Sequence, residues 1–257
     1  MSTEKKTIDA YTKYAEKWAC QMRSGKNIAH KYLEKPAMYS CLPDLTDKKV
    51  LCLGCGTGEE CQHLSEKVSE IVGVDISEGL VNYAKASYPE LKFHVMDMEN
   101  LEFPDDSFDY VYSSLVMHYI DSWTKTLSEV KRVLKAGGIF LFSTHHPATW
   151  GAERFRGEEE RTSFLGYKKR FNTNKVEVFG DYLNTQKVDD VWFGDFPVTF
   201  YHRPMESLFS DILDSGFQIK KVLEPKAIEE TKNIDPMFYE IRDKIPIFII
   251  FELQKIK

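Results

Sequence analysis

The chain has no apolar run long enough to cross a bilayer, no second CxxC to complete a zinc site, no surplus of positive charge, and no repeat or low-complexity tract. Each absence removes a class of protein. A helical membrane span needs about 20 consecutive apolar residues, and none is found. Met1 to Thr7 is polar and charged, so no secretory leader is read there and the expected place is the cytoplasm. The five cysteines (Cys20, Cys41, Cys52, Cys55 and Cys61) are odd in number, which suits a reducing compartment better than a disulfide framework. Cys52 and Cys55 form a CxxC, but it lies inside a strand-and-glycine stretch, so no metal site is expected. A net charge of −6 argues against gripping nucleic acid through the overall field. The short basic run Lys168-Lys169-Arg170 reads as a solvated loop.

What is present is organised around Val50 to Gly58, Val-Leu-Cys-Leu-Gly-Cys-Gly-Thr-Gly. The opening apolar residues lack polar alternation and read as a buried parallel strand. Glycines at 54, 56 and 58 then let the backbone turn tightly and leave no Cβ in the way of a ligand. A helix with the acidic start Glu59-Glu60 follows. Strand, glycine turn and helix form the nucleotide-binding corner of a doubly wound α/β sheet. Ile71 to Ile76 is a second strand ending in Asp75, about 20 residues after the turn, where a carboxylate meets ribose hydroxyls. Phe93 to Met98 is a third, ending in Asp97, a candidate acceptor for an exocyclic adenine amine. A dinucleotide fingerprint would need glycine at position 59, where Glu59 stands.

With 257 residues, 42% of them hydrophobic, the chain suits one α/β domain with an insertion. Residues 8–23 show helical spacing and Gly25 ends that helix; a second segment runs from Ile28 to Cys41. These are read as a lid over the site or as plain packing helices. Ser77 to Ser87 reads as a helix capped by Ser77, Phe108 to Ser113 as the fourth strand, and Asp121 to Leu134 as a helix stopped by Gly137-Gly138. Ile139 to Ser143 is the fifth strand of a parallel sheet with right-handed crossovers. Residues 147–203 break the pattern and are rich in aromatics. Val176 to Leu183 and Lys187 to Phe193 read as strands joined by a turn at Asn184-Thr185. This insertion is placed over the carboxyl ends of the sheet, where ligands bind; the alternative is a satellite core that packs only on itself. Pro204 to Ser215 reads as a helix, and Phe217 to Leu223 and Ile245 to Leu253 as the last strands.

In order along the chain, these motifs resemble the class I S-adenosylmethionine-dependent methyltransferases. Leu53-Gly54-Cys55-Gly56-Thr57-Gly58 matches that family's first motif, Val74-Asp75-Ile76-Ser77 its second and Asp97-Met98 its third. Phe103-Pro104-Asp105-Asp106-Ser107-Phe108-Asp109 resembles the punctuation ahead of the fourth strand. Ser113-Ser114-Leu115-Val116-Met117-His118-Tyr119 and Leu134-Lys135-Ala136-Gly137-Gly138 complete the match over residues 30–146. Cys52 stands where the family usually carries an aspartate or glutamate. The resemblance implies a Rossmann-like, seven-stranded, mostly parallel sheet with helices on both faces. It implies an N-terminal helical lid (residues 1–45) and a methyltransferase domain (residues 46–257) with a β-rich, substrate-side insertion (residues 147–203) after the fifth strand.

It further implies S-adenosyl-L-methionine as methyl donor, S-adenosyl-L-homocysteine as product, and a small-molecule acceptor with an apolar or planar part. Two alternatives stand beside it: a methyltransferase acting on RNA or protein, and a non-catalytic scaffold of the same fold. The acidic balance and the absence of an Asn/Asp-Pro-Pro-Tyr motif after the fourth strand weigh against the first. No nucleic-acid or membrane partner is expected, and monomer and homodimer both stay open. By this resemblance Gly54, Cys55 and Gly56 receive the methionyl end, Asp75 the ribose and Asp97 the adenine amine. Ile76 and Met98 flank the ring, Ser114 and Leu115 lie beside the methyl donor, and Tyr32 is a lid contact. A base, where one is used, is a histidine, whose ordinary pKa of about 6.5 suits proton removal near neutrality. His146-Pro147 and His202-Arg203-Pro204 resemble pairs seen in part of the family, so His146 is the first catalytic choice and His202 the second. His118, His145 and Arg203 are placed on the substrate side, with Arg203 available to clamp a carboxylate or phosphate. Each histidine keeps the alternative of a hydrogen-bonded structural role.

Overall fold

The computed structural model describes residues 3–157, 159–192 and 194–256. At the N-terminus, α1 (Lys5–Lys13) and α2 (Ala15–Arg23) are two helices where apolar spacing predicts one. Tyr14 divides them with φ −107° and ψ 23°, and its ring packs against Phe196. A π-helical turn (His30–Glu34) runs directly into α3 (Lys35–Ser40); Pro36 has no N–H to donate to the turn before it, and Tyr32 O accepts instead from Ile228 N at 3.0 Å.

The alternating core follows: β1 (Lys49–Leu53), α4 (Glu59–Ser65), β2 (Glu70–Asp75), α5 (Glu78–Ser87), β3 (Lys92–Val95), β4 (Phe108–Ser113), α6 (Trp123–Val133) and β5 (Leu134–His145). Ser77 caps α5, its hydroxyl accepting from Leu80 N at 3.3 Å. β5 runs 12 residues, longer than read from sequence, because Gly137-Gly138 lies inside it rather than after the helix. β3 is shorter than read from sequence and ends at Val95, which leaves Asp97 in the following turn.

In the insertion, α7 (Pro147–Trp150) leads to three antiparallel pairs. They are β6 (Glu153–Arg156) with β7 (Arg161–Phe164), β8 (Gly166–Arg170) with β9 (Lys175–Phe179), and β10 (Gln186–Trp192) with β11 (Phe196–His202). The expected hairpin through Asn184-Thr185 does not form. Asp181 instead binds the Asn184 side-chain amide at 2.8 Å and its own N–H bonds to Gly151 O, so the chain leaves β9 as a loop. Phe193, the end of one expected strand, lies outside the described residues. Lys168, Lys169 and Arg170 sit on exposed strand β8, not on a loop. α8 (Met205–Asp214) and β12 (Phe217–Leu223) return to the parent fold. Two short helices absent from the sequence reading, α9 (Thr231–Ile234) and α10 (Pro236–Arg242), precede β13 (Phe248–Lys255).

The seven-stranded sheet has the order β12-β13-β5-β4-β1-β2-β3. β3, β2, β1, β4 and β5 pair in parallel, while β13 runs antiparallel to both β5 and β12. Successive strand residues face opposite sides. Leu51 therefore joins Val111, Phe140 and Trp123 on one face. Val50 joins Ile71, Tyr110 and Leu64 on the other. Strand order reverses between β1 and β4, which sets a crevice at their carboxyl ends. The insertion packs both ways foreseen: Phe155, Phe164 and Phe179 cluster among themselves, while Phe196 and Phe200 join Tyr11, Trp18, Tyr119 and Trp150. Among the described residues no helix is long and apolar enough to cross a membrane.

Candidate active site

At the crevice the carboxyl ends of β1, β2, β4 and β5 open into a cavity of about 1310 Å³. The glycine turn forms its floor. Gly54 and Gly56 hold φ of 68° and 54°, which only glycine adopts without strain. A Cβ on Gly54 would enter the Val116 side chain, 2.7 Å from Cγ1, whereas a Cβ on Gly56 would meet nothing within 4 Å. Asp75, at the end of β2, accepts from Gly56 N and from Ser77 N, each at 2.9 Å. Burial raises its carboxyl above the ordinary value, against the pull of these backbone donors.

Past the end of β4, Leu115 holds a left-handed φ of 54°, a strained conformation for a side chain of its kind. A buried relay fixes it. Leu115 N donates to Ser143 Oγ at 2.9 Å, and Ser143 and Ser114 donate to Glu34 Oε1 at 2.6 and 2.8 Å. Glu34 is fully buried. Burial pushes its carboxyl up, opposed by nearby His30 and by the two serine hydroxyls.

The wall beyond Leu115 is a column of flat rings. His118 stacks on His145 at 3.5 Å between centroids, and His145 on Trp150 at 3.5 Å. Neither ring nitrogen of His118 has a hydrogen-bond partner among the described residues. Burial, with the Arg203 charge adding to it, pushes the His118 pKa down to about 3. Burial likewise drives His145 well below its ordinary value. Tyr11, Trp18 and Trp192 line the same cavity, with Tyr11 and Tyr119 joined hydroxyl to hydroxyl at 2.6 Å. Arg156 and Arg161 stand at the mouth as cross-strand partners of β6 and β7.

The cavity thus brings together Gly54, Cys55, Gly56, Asp75, Ile76 and Met98 at one end, and Ser114, Leu115, His118 and His145 at the other. Five expected site residues lie elsewhere. Tyr32 carries Lys31 Nζ 4.9 Å from its ring centre, and its carbonyl accepts from Ile228 N. Asp97 turns back to accept from Glu99 N at 3.0 Å. His146 spends both ring nitrogens: Nδ1 accepts from Ala148 N at 3.1 Å, capping α7, and Nε2 lies 2.7 Å from Glu224 Oε1. His202 Nε2 donates to Tyr182 O at 2.9 Å. Arg203 donates to Ile120 O and lies over Trp123; it and His202 border a separate small cavity behind His145. The sequence reading missed Trp150, Trp192, Arg156 and Arg161, which only the aromatic richness of the insertion hinted at.

A parallel sheet with a glycine turn at its switch point, an acid at the end of the second strand and open space over Gly56 defines a nucleoside-binding α/β enzyme. These features fit a nucleoside with a polar tail: Gly56 leaves room that a Cβ would fill, and the buried Tyr112 hydroxyl on the cavity wall has no partner among the described residues. A family model described as a methyltransferase domain matches residues 51–142. The S-adenosylmethionine-dependent methyltransferase of Mesorhizobium loti superposes with a TM-score of 0.72 at 28% identity, covering 86% of this chain and 97% of that one. An uncharacterized protein of Haemophilus influenzae is 28% identical over 82% of this chain and 83% of its own length. A malonyl-[acyl-carrier protein] O-methyltransferase of Yersinia pestis is 35% identical over 37% of this chain, which spans only 36% of that relative. The chain carries a methyltransferase domain on the class I S-adenosylmethionine-dependent fold, and S-adenosylmethionine is its methyl donor.

Proposed function

We propose that the chain methylates a small acceptor whose nucleophile is already ionised, a carboxylate on an apolar or planar body. The observation that carries this reading is the buried column of His118, His145 and Trp150 beside Leu115. A general base works best with a pKa near the operating pH, and burial holds both imidazoles far below it. An ionised acceptor needs no base. The ring faces suit a planar body, and the two guanidinium groups at the mouth suit an anion. Arg156 and Arg161 oppose each other across their strands; Arg156 is already paired with Asp190 at 2.9 Å, so Arg161 is the one of the two that an anion meets first. The Yersinia relative's name, with its malonyl acceptor, agrees with a carboxylate.

In this reading Asp75 accepts from the ribose hydroxyls, Ile76 and Met98 flank the adenine, and Ser114 and Leu115 border the methionyl portion. Bound there, the sulfonium cofactor supplies a methyl group already activated for displacement. The protein's work is to align the acceptor and exclude water, and alignment alone is worth about 7–11 kcal/mol in favourable cases. Tyr11, Trp18 and Trp192 close the space over it. A screen of carboxylic acids, amines, phenols, RNA and protein with tritiated methyl donor tests the proposal. Label is expected in aromatic or fatty carboxylic acids as base-labile ester; label confined to neutral amines, RNA or protein overturns it.

A further inference from the structure

We propose that Glu60, backed by Glu34, anchors the ammonium of the cofactor's amino-acid tail, and that Lys35 holds the tail's carboxylate. This rests on the cofactor reading above and concerns residues outside the sequence motifs. The starting point is a gap. Cys52 occupies the place in β1 where an acid is usual in proteins of this kind, and a thiol cannot balance an ammonium as a carboxylate does.

The structure supplies the missing charge from two other elements. Cys52 pairs in register with Tyr112 across β1 and β4, and both line the cavity. Tyr112 is 2% exposed, and its hydroxyl makes no hydrogen bond among the described residues. Glu34 and Glu60 both lie close enough to raise the Tyr112 pKa after burial has done so. Glu60, in the first turn of α4, lines the cavity beside the glycine turn. Its Oε1 lies 3.3 Å from Lys35 Nζ and 3.5 Å from His30 Nε2. Glu34 Oε2 is buried without a hydrogen bond among the described residues, 3.5 Å from the same His30 nitrogen.

Two carboxylates here face one lysine and one histidine. Burial raises Glu60, but His30 and Lys35 outweigh it and hold the group ionised. A ligand bringing one ammonium and one carboxylate keeps the charge sum unchanged and gives the Glu60 carboxylate and the Tyr112 hydroxyl partners. The ammonium meets Glu60, the carboxylate meets Lys35, and the Tyr112 hydroxyl is left able to donate to the carboxylate. An α-amino acid tail has this pair of charges on adjacent atoms. A π-helical turn, which often marks a functional site, is what brings Glu34 and His30 to this end of the cavity.

Calorimetric titration with three ligands tests the assignment. S-adenosylhomocysteine has the whole tail, its decarboxylated analogue lacks only the carboxylate, and 5′-methylthioadenosine lacks the amino acid entirely. Glu60→Gln is expected to weaken S-adenosylhomocysteine roughly 10- to 100-fold while methylthioadenosine stays within about twofold, as the loss of one charged hydrogen bond predicts. Lys35→Met is expected to weaken S-adenosylhomocysteine about 10-fold and leave the decarboxylated analogue unchanged. An equal loss for all three ligands, or none for S-adenosylhomocysteine, overturns the proposal. Lys35→Met carries the test alone if Glu60→Gln does not fold. A wild-type protein that binds none of the three refutes the cofactor reading itself. One that binds S-adenosylhomocysteine and methylthioadenosine equally well refutes only the tail site.

Discussion

Replacing Gly54 and Gly56 by alanine, one at a time, separates folding from ligand binding within a single turn. Both positions are left-handed, at φ 68° and 54°, which costs an alanine about 1–2 kcal/mol. At Gly54 the new methyl would also enter Val116, 2.7 Å from Cγ1 and 3.0 Å from Cβ. Val116 is β-branched and packs against the main core, so its side chain has few rotamers to retreat to. That overpacking adds about 1–3 kcal/mol, for a total of roughly 2–5 kcal/mol. Against a net stability of about 5–15 kcal/mol, this is a large share. At Gly56 nothing lies within 4 Å, so only the backbone term applies and the methyl projects into the cavity next to Asp75. Urea unfolding of the ligand-free protein is therefore expected to rank wild type, Gly56→Ala and Gly54→Ala in falling stability. Titration with S-adenosylhomocysteine is expected to show Gly56→Ala folded but stripped of most of its affinity. A Gly56→Ala protein that binds like wild type, or a Gly54→Ala protein no less stable than Gly56→Ala, refutes the reasoning.

Asp75→Ala is expected to weaken S-adenosylhomocysteine by about 1.5–3 kcal/mol through lost charged hydrogen bonds; an unchanged dissociation constant removes the ribose assignment. Glu34 is an acid raised by burial above its ordinary 4.5, so it binds its proton more tightly folded than unfolded. Its stabilisation is complete below pH 4.5 and is lost as pH rises through the folded value. Glu34→Gln keeps an acceptor for the two serines but no charge, so wild type should lose stability relative to it as pH rises above 4.5; a flat difference in urea titrations counts against this. His118 is held at about 3. Below pH 6.5 only the unfolded chain takes its proton, at a cost to the fold of about 1.4 kcal/mol per pH unit. His118→Asn should therefore resist acid better than wild type between pH 6 and 4.5. His146→Ala removes the α7 cap and is expected to cost about 0.5–2 kcal/mol of stability with turnover intact. A loss of turnover without a loss of stability would return His146 to the mechanism.

The central sheet was legible because its signals are local. An apolar run closed by alternating glycines has few other ways to fold, and Phe108 to Ser113 is a strand over the very residues expected. Asp75 followed from where β2 must end. Side-chain direction was not legible. His145 and His146 are neighbours at the end of β5, and successive residues there face opposite sides; His145 lines the cavity and His146 turns to Glu224. Sequence alone does not say which faces in. Strand partners in the insertion were equally hidden, because Val176 and Val178 alternate in the same way whichever strand lies beside them, and a strand exposed on both faces specifies register weakly. Glu34 was overlooked because its partners lie 80 and 109 residues away.

That last separation bears on how the molecule assembles. The relay from Glu34 through Ser143 to Leu115 closes only when three remote stretches of chain have met, and contacts of such long range form slowly. Neighbouring strands can pair before the N-terminal segment arrives. On dilution from denaturant, sheet would then return ahead of competence, and a newly made chain would pass through a shape that has its architecture but does not yet have its chemistry.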